Sequence, residues 1–254
     1  MGDTYIVAFK AGSSGRLVAN LIWGLITESV HEYHLTDFNS THNFTPYATS
    51  FDISEVPVNN RIYSSPETYK YFKFTNNPGI ITLHAYPDFD VIRQRFPTTK
   101  IVIVSYSNEN LSEITGNSLI KNGIEALLRG STPCNDTMFF SSTYKSIFGE
   151  DFNGQEIPLN ERRSIFNKYQ DRVSHEFYNS KFVNPVIPDD FLDKTLILSY
   201  DDLCNDKCET LNKLYKLTNS SPKSNITELY EGYLQGRNRL IESCMPWVDK
   251  YVTK

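Results

Sequence analysis

The sequence lacks the features of a membrane, secreted or nucleic-acid-binding protein. None of its 254 residues belongs to a run of the roughly 20 apolar residues that a membrane helix needs, and its first residues lack the pattern of a secretory signal. We therefore expect a cytoplasmic protein that does not enter a membrane. The formal net charge of −5 gives no general attraction for nucleic acid or anionic lipid. Any anion-binding site must therefore be built from a few neighbouring groups rather than from the overall charge.

Cysteine is also scarce. Four cysteines are too few for a disulfide framework at this length, and they lack the paired close spacing of a zinc site. Cys204 and Cys208 are four residues apart on a predicted helix, but no His or Cys pair that would complete a metal site accompanies them. We therefore expect reduced thiols and no bound metal.

Apolar segments alternate with helical patterns along the chain. Near-continuous apolar runs, typical of strands buried in a parallel sheet, occupy residues 5–9, 79–85, 100–105 and 195–200. Helical patterns occupy residues 16–30, 88–96, 108–128 and 160–178, and most of the chain from Cys204 onward, with a break at 220–225. This alternation predicts an α/β fold with a central parallel sheet flanked by helices. Because no linker or repeat interrupts it, we expect a single domain over residues 1–254.

The stretch FKAGSSGRLVANLIWGL, residues 9–25, joins the first predicted strand to the first predicted helix. In this geometry the N–H groups of residues 12–15 point into one concavity at the positive end of the helix, which suits an anion. Gly12 and Gly15 let a ligand approach the backbone closely. The two serines between them add hydroxyl donors, and Lys10 adds a positive charge.

An ordinary strand–turn–helix connection with a serine cap explains the same pattern, so this interpretation stays open. The Walker loop of ATP- and GTP-binding proteins does not fit. That loop requires a lysine directly after its second glycine, where this chain has Arg16.

Three stretches resemble the sulfotransferases that use 3′-phosphoadenosine-5′-phosphosulfate (PAPS). YIVAFKAGSSG is similar to the family's phosphosulfate loop Y-P-K-S-G-T-T-W, with Lys10 on its lysine and Gly15 in place of the aromatic residue. ITLHAYPDFDVIRQRFPTTKIVIVSYS resembles K-T-H-L-P, a short helix and K-I-I-Y-V-A-R-N, with His84 and Tyr106 at the family's His-to-Arg separation. LILSYDDL, residues 196–203, is similar to the late strand L-x-Y-E-D-L. The three stretches occur in the family's order.

The resemblance implies a P-loop NTPase-like sulfotransferase fold and transfer of a sulfuryl group from PAPS to a hydroxyl or amine, with adenosine 3′,5′-bisphosphate (PAP) as the product. It implies that Lys10 stabilises the leaving phosphate and that His84 takes the proton of the acceptor. Tyr200 aligns with a tyrosine that contacts adenine in some members, although a buried aromatic at a strand end explains it equally well. The donor contacts implied in the turn are Lys10, Ala11, Gly12, Ser13, Ser14 and Gly15.

The sequence departs from the family at the site for the 3′-phosphate. Tyr106 replaces the arginine there and Ile114 replaces the serine. A tyrosine hydroxyl does not replace a charged, bidentate guanidinium. We assign Ser107 to the donor site as a neutral replacement, and the family's C-terminal R-K-G motif is not visible. Other candidate replacements are Ser105, Asn110, Arg93, Arg95, Arg129, Arg237 and Arg239.

Two further hypotheses stay open, and the acceptor is not specified. A kinase-like enzyme using ATP would hold magnesium through Asp201 or Asp202. A non-catalytic relative would keep the fold and bind a nucleotide, a glycan or a protein. We expect the aromatic-rich segments Tyr33–Tyr71 and Gly130–Phe152 to wall a pocket for a small-molecule or carbohydrate acceptor, since aromatic rings stack on sugars and phenols. The same rings would also serve as the core of a loop-rich insertion.

Overall fold

The structure is a computed structural model in which residues 3–10, 12–27, 49–51, 72–74, 79–111, 113–114, 145–151, 161, 164, 168 and 180–251 are described. The predicted helices 108–128 and 160–178 lie largely outside these residues. So do the two segments expected to wall an acceptor pocket, and Ala11 of the predicted donor site.

Among the described residues, four parallel strands form the central sheet. They are β1 (Thr4–Ala8), β4 (Gly79–Leu83), β5 (Lys100–Ser105) and β6 (Thr195–Ser199), in the order β4-β1-β5-β6. Two short strands, β2 (Thr49–Phe51) and β3 (Phe72–Phe74), pair antiparallel in a separate sheet. The parallel sheet flanked by helices confirms the predicted α/β class, and each of its strands lies within two residues of its predicted bounds.

Strand β1 lies at the centre because its side chains are apolar on both faces. Tyr5 and Val7 point to one face and Ile6 and Ala8 to the other, and all four are 0% exposed. A strand with two apolar faces is stable only where both faces are covered. The backbone edges of β1 are covered as well, because β4 pairs with one edge and β5 with the other.

Helix α1 (Gly15–Thr27) covers the face of the sheet to which Tyr5 and Val7 point. Its apolar residues recur at helical spacing, and Leu17, Leu21 and Leu25 are at most 3% exposed. Burying a leucine side chain contributes about 1.5–3 kcal/mol. This buried stripe therefore fixes how the helix, and the turn that leads into it, lie on the sheet.

Further helices among the described residues are α2 (Phe89–Arg95), α3 (Ser180–Val183), α4 (Tyr200–Asn205), α5 (Lys207–Thr218) and α6 (Ser224–Tyr251). Three of them begin at a side chain that accepts a hydrogen bond from the first helical turn. Asp88 caps α2, Ser199 caps α4 and Asp206 caps α5. The cap at Asp206 divides what the sequence suggested as one helix, so Cys204 and Cys208 lie on different helices. Neither cysteine forms a disulfide here.

The chain divides into two compact units. One comprises Met1–Asn110 and Asn179–Gly236 and contains the central sheet, and the other comprises Leu111–Tyr178 and Arg237–Lys254. The single domain expected over residues 1–254 stays a prediction. Within the described part of the chain, none of the helices combines the length and the apolar composition that a membrane crossing requires.

Candidate functional site

The candidate site lies at the carboxyl ends of the parallel strands. Register pairs Ala8 of β1 with Leu83 of β4, and the N–H of Phe9 donates to the carbonyl of Leu83 at 2.9 Å. The residues directly after these two strands, including Lys10 and His84, therefore leave the sheet at the same edge. In open α/β sheets this edge is where ligands bind.

The turn between β1 and α1 is closed by bonds to one carbonyl. The oxygen of Lys10 accepts both the N–H of Ser13, at 3.0 Å, and its hydroxyl, at 2.7 Å. Ser13 is 0% exposed. The structure thus differs from the predicted cradle at one position, because the N–H of Ser13 is used inside the turn rather than directed at a ligand.

Two residues of the turn adopt the left-handed backbone conformation. Gly12 has a φ of 86° and Ser14 a φ of 60°. Glycine adopts this region without cost, but for a serine it is disfavoured by roughly 1–2 kcal/mol. Alternation of left- and right-handed residues is the backbone form that gathers N–H groups around an anion. Residues held in such unfavourable backbone conformations are often found at functional sites.

The first turn of α1 supplies the remaining donors. N–H groups of a first helical turn have no acceptor within the helix, and here the N–H of Leu17 donates to the carbonyl of Ser14 at 3.0 Å. Gly15, the first helical residue, keeps its N–H at the positive end of the helix. The donors that suit an anion are therefore this N–H group, the hydroxyl of Ser14 and the half-buried Lys10.

Phe9 explains why the residue that follows the serines is a glycine. A Cβ atom at Gly15 would lie 2.0 Å from Cγ of Phe9, far inside contact distance. Phe9 itself is 3% exposed and belongs to the core beneath the turn. The ring of Phe9 thus fills the space beside the position where the sulfotransferases carry an aromatic side chain.

His84 contacts the same phenylalanine. Its ring meets that of Phe9 edge to face, with centroids 4.6 Å apart and planes at 66°. The residue is half-buried, and its Nδ1 atom is inaccessible to solvent. The structure therefore brings His84 next to Phe9, the residue that precedes Lys10.

Ser107 belongs to a hydrogen-bond chain that connects the ends of β5 and β6. Its N–H and its hydroxyl both donate to Oδ1 of Asn110, each at 2.9 Å, and Nδ2 of Asn110 donates to Asp201 at 2.7 Å. Asn110 is 9% exposed. The N–H and the hydroxyl of Ser107 thus both donate to a group within the protein. The assignment of Ser107 to the PAPS site stays a prediction.

The two aspartates considered as magnesium ligands have other partners. Besides the bond from Asn110 to Asp201, the ammonium of Lys213 lies 3.0 Å from Asp202 and 3.3 Å from Glu209. The hydrogen bond to Asp202 raises the pKa of Lys213, so the lysine stays charged. Among the residues that the structure describes, no group of three or more His, Cys, Asp or Glu side chains is arranged to hold a metal ion.

The two positions at which the resemblance implies ligands of the 3′-phosphate are uncharged and buried here. Tyr106 is 3% exposed and stacks on Phe182, with ring centroids 6.3 Å apart, and Ile114 is 0% exposed. Tyr200, the predicted adenine contact, is 1% exposed. None of these three side chains presents a charge.

The arginines considered as replacements are partly accounted for. Arg93 pairs with Asp90 and Asp190, and these carboxylates raise its pKa. Arg95 lies against the ring of Phe96. Arg237 pairs with Glu113 at 3.3 Å. Arg129 and the side chain of Arg239 lie outside what the structure describes.

One site residue has no counterpart in the sequence-based prediction. The hydroxyl of Tyr233, on α6, donates to Oγ of Ser14 at 3.1 Å, and both groups are buried. The two residues are 219 positions apart. The apolar spacing of α6 places Tyr233 on a buried helix face, but nothing local in the sequence names Ser14 as its partner.

Comparison with protein-family models, with curated proteins and with solved structures finds no match to this chain.

Proposed function

We propose that this protein is a sulfotransferase with a P-loop NTPase-like sulfotransferase fold, and that it takes PAPS as donor. The observation that carries the proposal is the turn from Lys10 to Gly15. It joins the central strand to a helix at the carboxyl edge of a parallel sheet, contains two left-handed residues and begins with a lysine. This combination suits the phosphosulfate end of a nucleotide.

Lys10 and the turn act on the leaving group. As the bond between sulfur and the bridging oxygen breaks, negative charge grows on the 5′-phosphate of the departing PAP. The ammonium of Lys10, the N–H of Gly15 and the hydroxyl of Ser14 stabilise that charge. Because these groups are fixed by β1 and α1, little reorganisation is needed during the reaction.

His84 acts on the acceptor. The hydroxyl or amine of the acceptor forms the new bond to sulfur, and Nε2 of His84 takes the proton that this group loses. The edge-to-face contact with Phe9 holds the imidazole beside the turn. Proton removal and charge stabilisation are thereby supplied from neighbouring strands, β4 and β1.

The chain matches the two ends of PAPS unequally. The turn suits the phosphosulfate, whereas Tyr106 and Ile114 offer no charge to a 3′-phosphate. We therefore expect weaker discrimination between PAP and adenosine 5′-phosphate than a bidentate arginine would give. Calorimetric titration with these two nucleotides measures this difference directly.

The decisive experiment follows release of PAP from PAPS in the presence of a panel of phenols, sugars and amines. Lys10→Ala is expected to lower the rate about 100-fold or more, as removal of a fixed group from an anion hole does. Lys216→Ala is the matched control, since Lys216 is exposed on α5. A Lys10→Ala protein with the wild-type rate contradicts the proposal.

The same preparation separates the other hypotheses. Nucleotide binding or turnover that requires Mg²⁺ and ATP, and is abolished by a chelator, identifies the kinase-like enzyme. Binding of PAP without turnover of PAPS across the acceptor panel identifies the non-catalytic relative.

A further inference from the structure

Tyr233 connects the C-terminal helix to the candidate anion turn. Its hydroxyl donates to Oγ of Ser14 at 3.1 Å, and both side chains are 8% exposed. A buried bond between two hydroxyl groups in a mostly apolar region is stronger than the same bond in water. This bond therefore restricts where the hydroxyl of Ser14 can point.

The direction of donation determines what Ser14 can still do. A serine hydroxyl has one hydrogen to donate and two lone pairs that accept. Because Tyr233 donates to Oγ, the hydrogen of Ser14 points away from the tyrosine. Ser14 is then left as a donor, which is the role that an anion requires.

The tyrosine is held on a rigid support. Ile226, Leu229 and Tyr230, on the same helix, belong to the core cluster that includes Leu17 and Leu21 of α1. One turn before Tyr233, the hydroxyl of Tyr230 donates to the carbonyl of Leu203. The position of the Tyr233 hydroxyl is therefore fixed independently of the turn.

Ser14 needs such support. Its φ of 60° is unfavourable for any residue with a side chain. Within the turn itself, the N–H and the hydroxyl of Ser13 donate to the carbonyl of Lys10, and the carbonyl of Ser14 accepts the N–H of Leu17. The bond from Tyr233 adds a fixed contact to the side chain of the strained residue.

We propose that Tyr233 is a positioning residue that holds Ser14 so that its hydroxyl donates to the phosphate or sulfate oxygens of the bound nucleotide. The inference rests on the proposed function, in which this turn binds the 5′ end of PAPS. Tyr233 acts through its bond to Ser14. Its contribution therefore depends on the presence of the serine hydroxyl.

The test compares two tyrosines on the same helix. Tyr233→Phe removes the hydroxyl that contacts Ser14, and Tyr230→Phe removes a buried hydroxyl that donates to the carbonyl of Leu203. In calorimetric titrations with PAP, we expect Tyr233→Phe to weaken affinity about tenfold. We expect Tyr230→Phe to lower the melting temperature but to change affinity less than about twofold.

A double-mutant cycle separates positioning from a general loss of stability. In a Ser14→Ala background, Tyr233→Phe is expected to have almost no further effect on PAP affinity, since the group it positions is gone. Equal losses in the presence and absence of the serine hydroxyl overturn the inference. So does wild-type affinity in Tyr233→Phe, or an equal loss in Tyr230→Phe.

Hydrogen exchange distinguishes failure of this inference from failure of the proposed function. If the wild-type protein binds no PAP, the assigned donor is wrong and so is the role of Ser14 towards it. Exchange of the amides of residues 12–17 still reports the anchoring. It is expected to be faster in Tyr233→Phe than in Tyr230→Phe, and equal rates contradict the anchoring itself.

Discussion

Gly15 is a closely packed residue of the candidate site. Its missing side chain lets the ring of Phe9 lie directly beneath the turn, and that ring in turn contacts His84. One glycine therefore allows the core, the turn and the imidazole to meet. Because Phe9 is 3% exposed, its ring has little room to move away from Gly15.

We expect Gly15→Ala to destabilise the protein by about 1–3 kcal/mol, because the new methyl group would overlap Phe9. Urea unfolding of the purified variant measures the loss. In the Gly15→Ala background, Phe9→Leu is expected to cost less than it does alone, since the smaller side chain relieves the overlap. A Gly15→Ala protein within 0.5 kcal/mol of wild type, by the usual scale of surface changes, would contradict this packing.

Sequence reasoning was most informative where a residue type allows few backbone conformations. Gly12 was expected in the turn and has a positive φ, as glycine permits. Ser14 has a positive φ too, but serine carries no comparable signal. Its partner Tyr233 was not predictable, because a contact across 219 residues depends on the whole fold.

At the scale of single elements, helix α5 shows how a local signal sets a boundary. Asp206 accepts a hydrogen bond from the N–H of Glu209 at 2.9 Å, and Asn219 ends the helix with a φ of 53°. Both residue types are common at these positions, because their short polar side chains bond to nearby backbone. The break predicted at 220–225 overlaps the gap between Thr218 and Ser224, whereas the boundary at Asp206 was not predicted, since helical patterns continue on both sides of it.

We expect Asp206→Ala to destabilise the protein by about 1 kcal/mol, because the N–H of Glu209 loses its acceptor. Asp206→Asn is the matched control. The asparagine oxygen caps as well as a carboxylate, so this variant is expected to unfold within about 0.5 kcal/mol of wild type. Equal losses in the two variants would assign the effect to charge rather than to capping.

At the scale of the whole molecule, the arrangement of strands was less predictable than the strands themselves. Continuous apolar runs identify buried strands wherever they occur, and alternation with helices makes them parallel. The order β4-β1-β5-β6 has no such local signature. The strand order depends on how all the apolar faces of strands and helices pack together. One result of this order is that the turn after β1 lies beside His84.

Binding of the proposed product should stabilise the whole molecule. At a PAP concentration about 100 times its dissociation constant, the free energy of unfolding is expected to rise by about 2.7 kcal/mol. Denaturant unfolding with and without PAP measures this, and a chelator should leave the effect unchanged. Lys10→Ala at the same PAP concentration should show a smaller rise. Stabilisation by ATP with Mg²⁺ alone would contradict the assigned donor.

The pairing of β5 with β6 has a consequence during synthesis of the chain. Strand β5 ends at Ser105 and β6 begins at Thr195, so the ribosome must add the whole intervening segment before the last strand exists. At roughly 5–20 residues per second, this takes on the order of 5–20 s. Throughout that interval this edge of β5 lacks β6, the strand that pairs with it in the folded protein. The nascent chain therefore completes the pairing of β5 with β6 only after this interval.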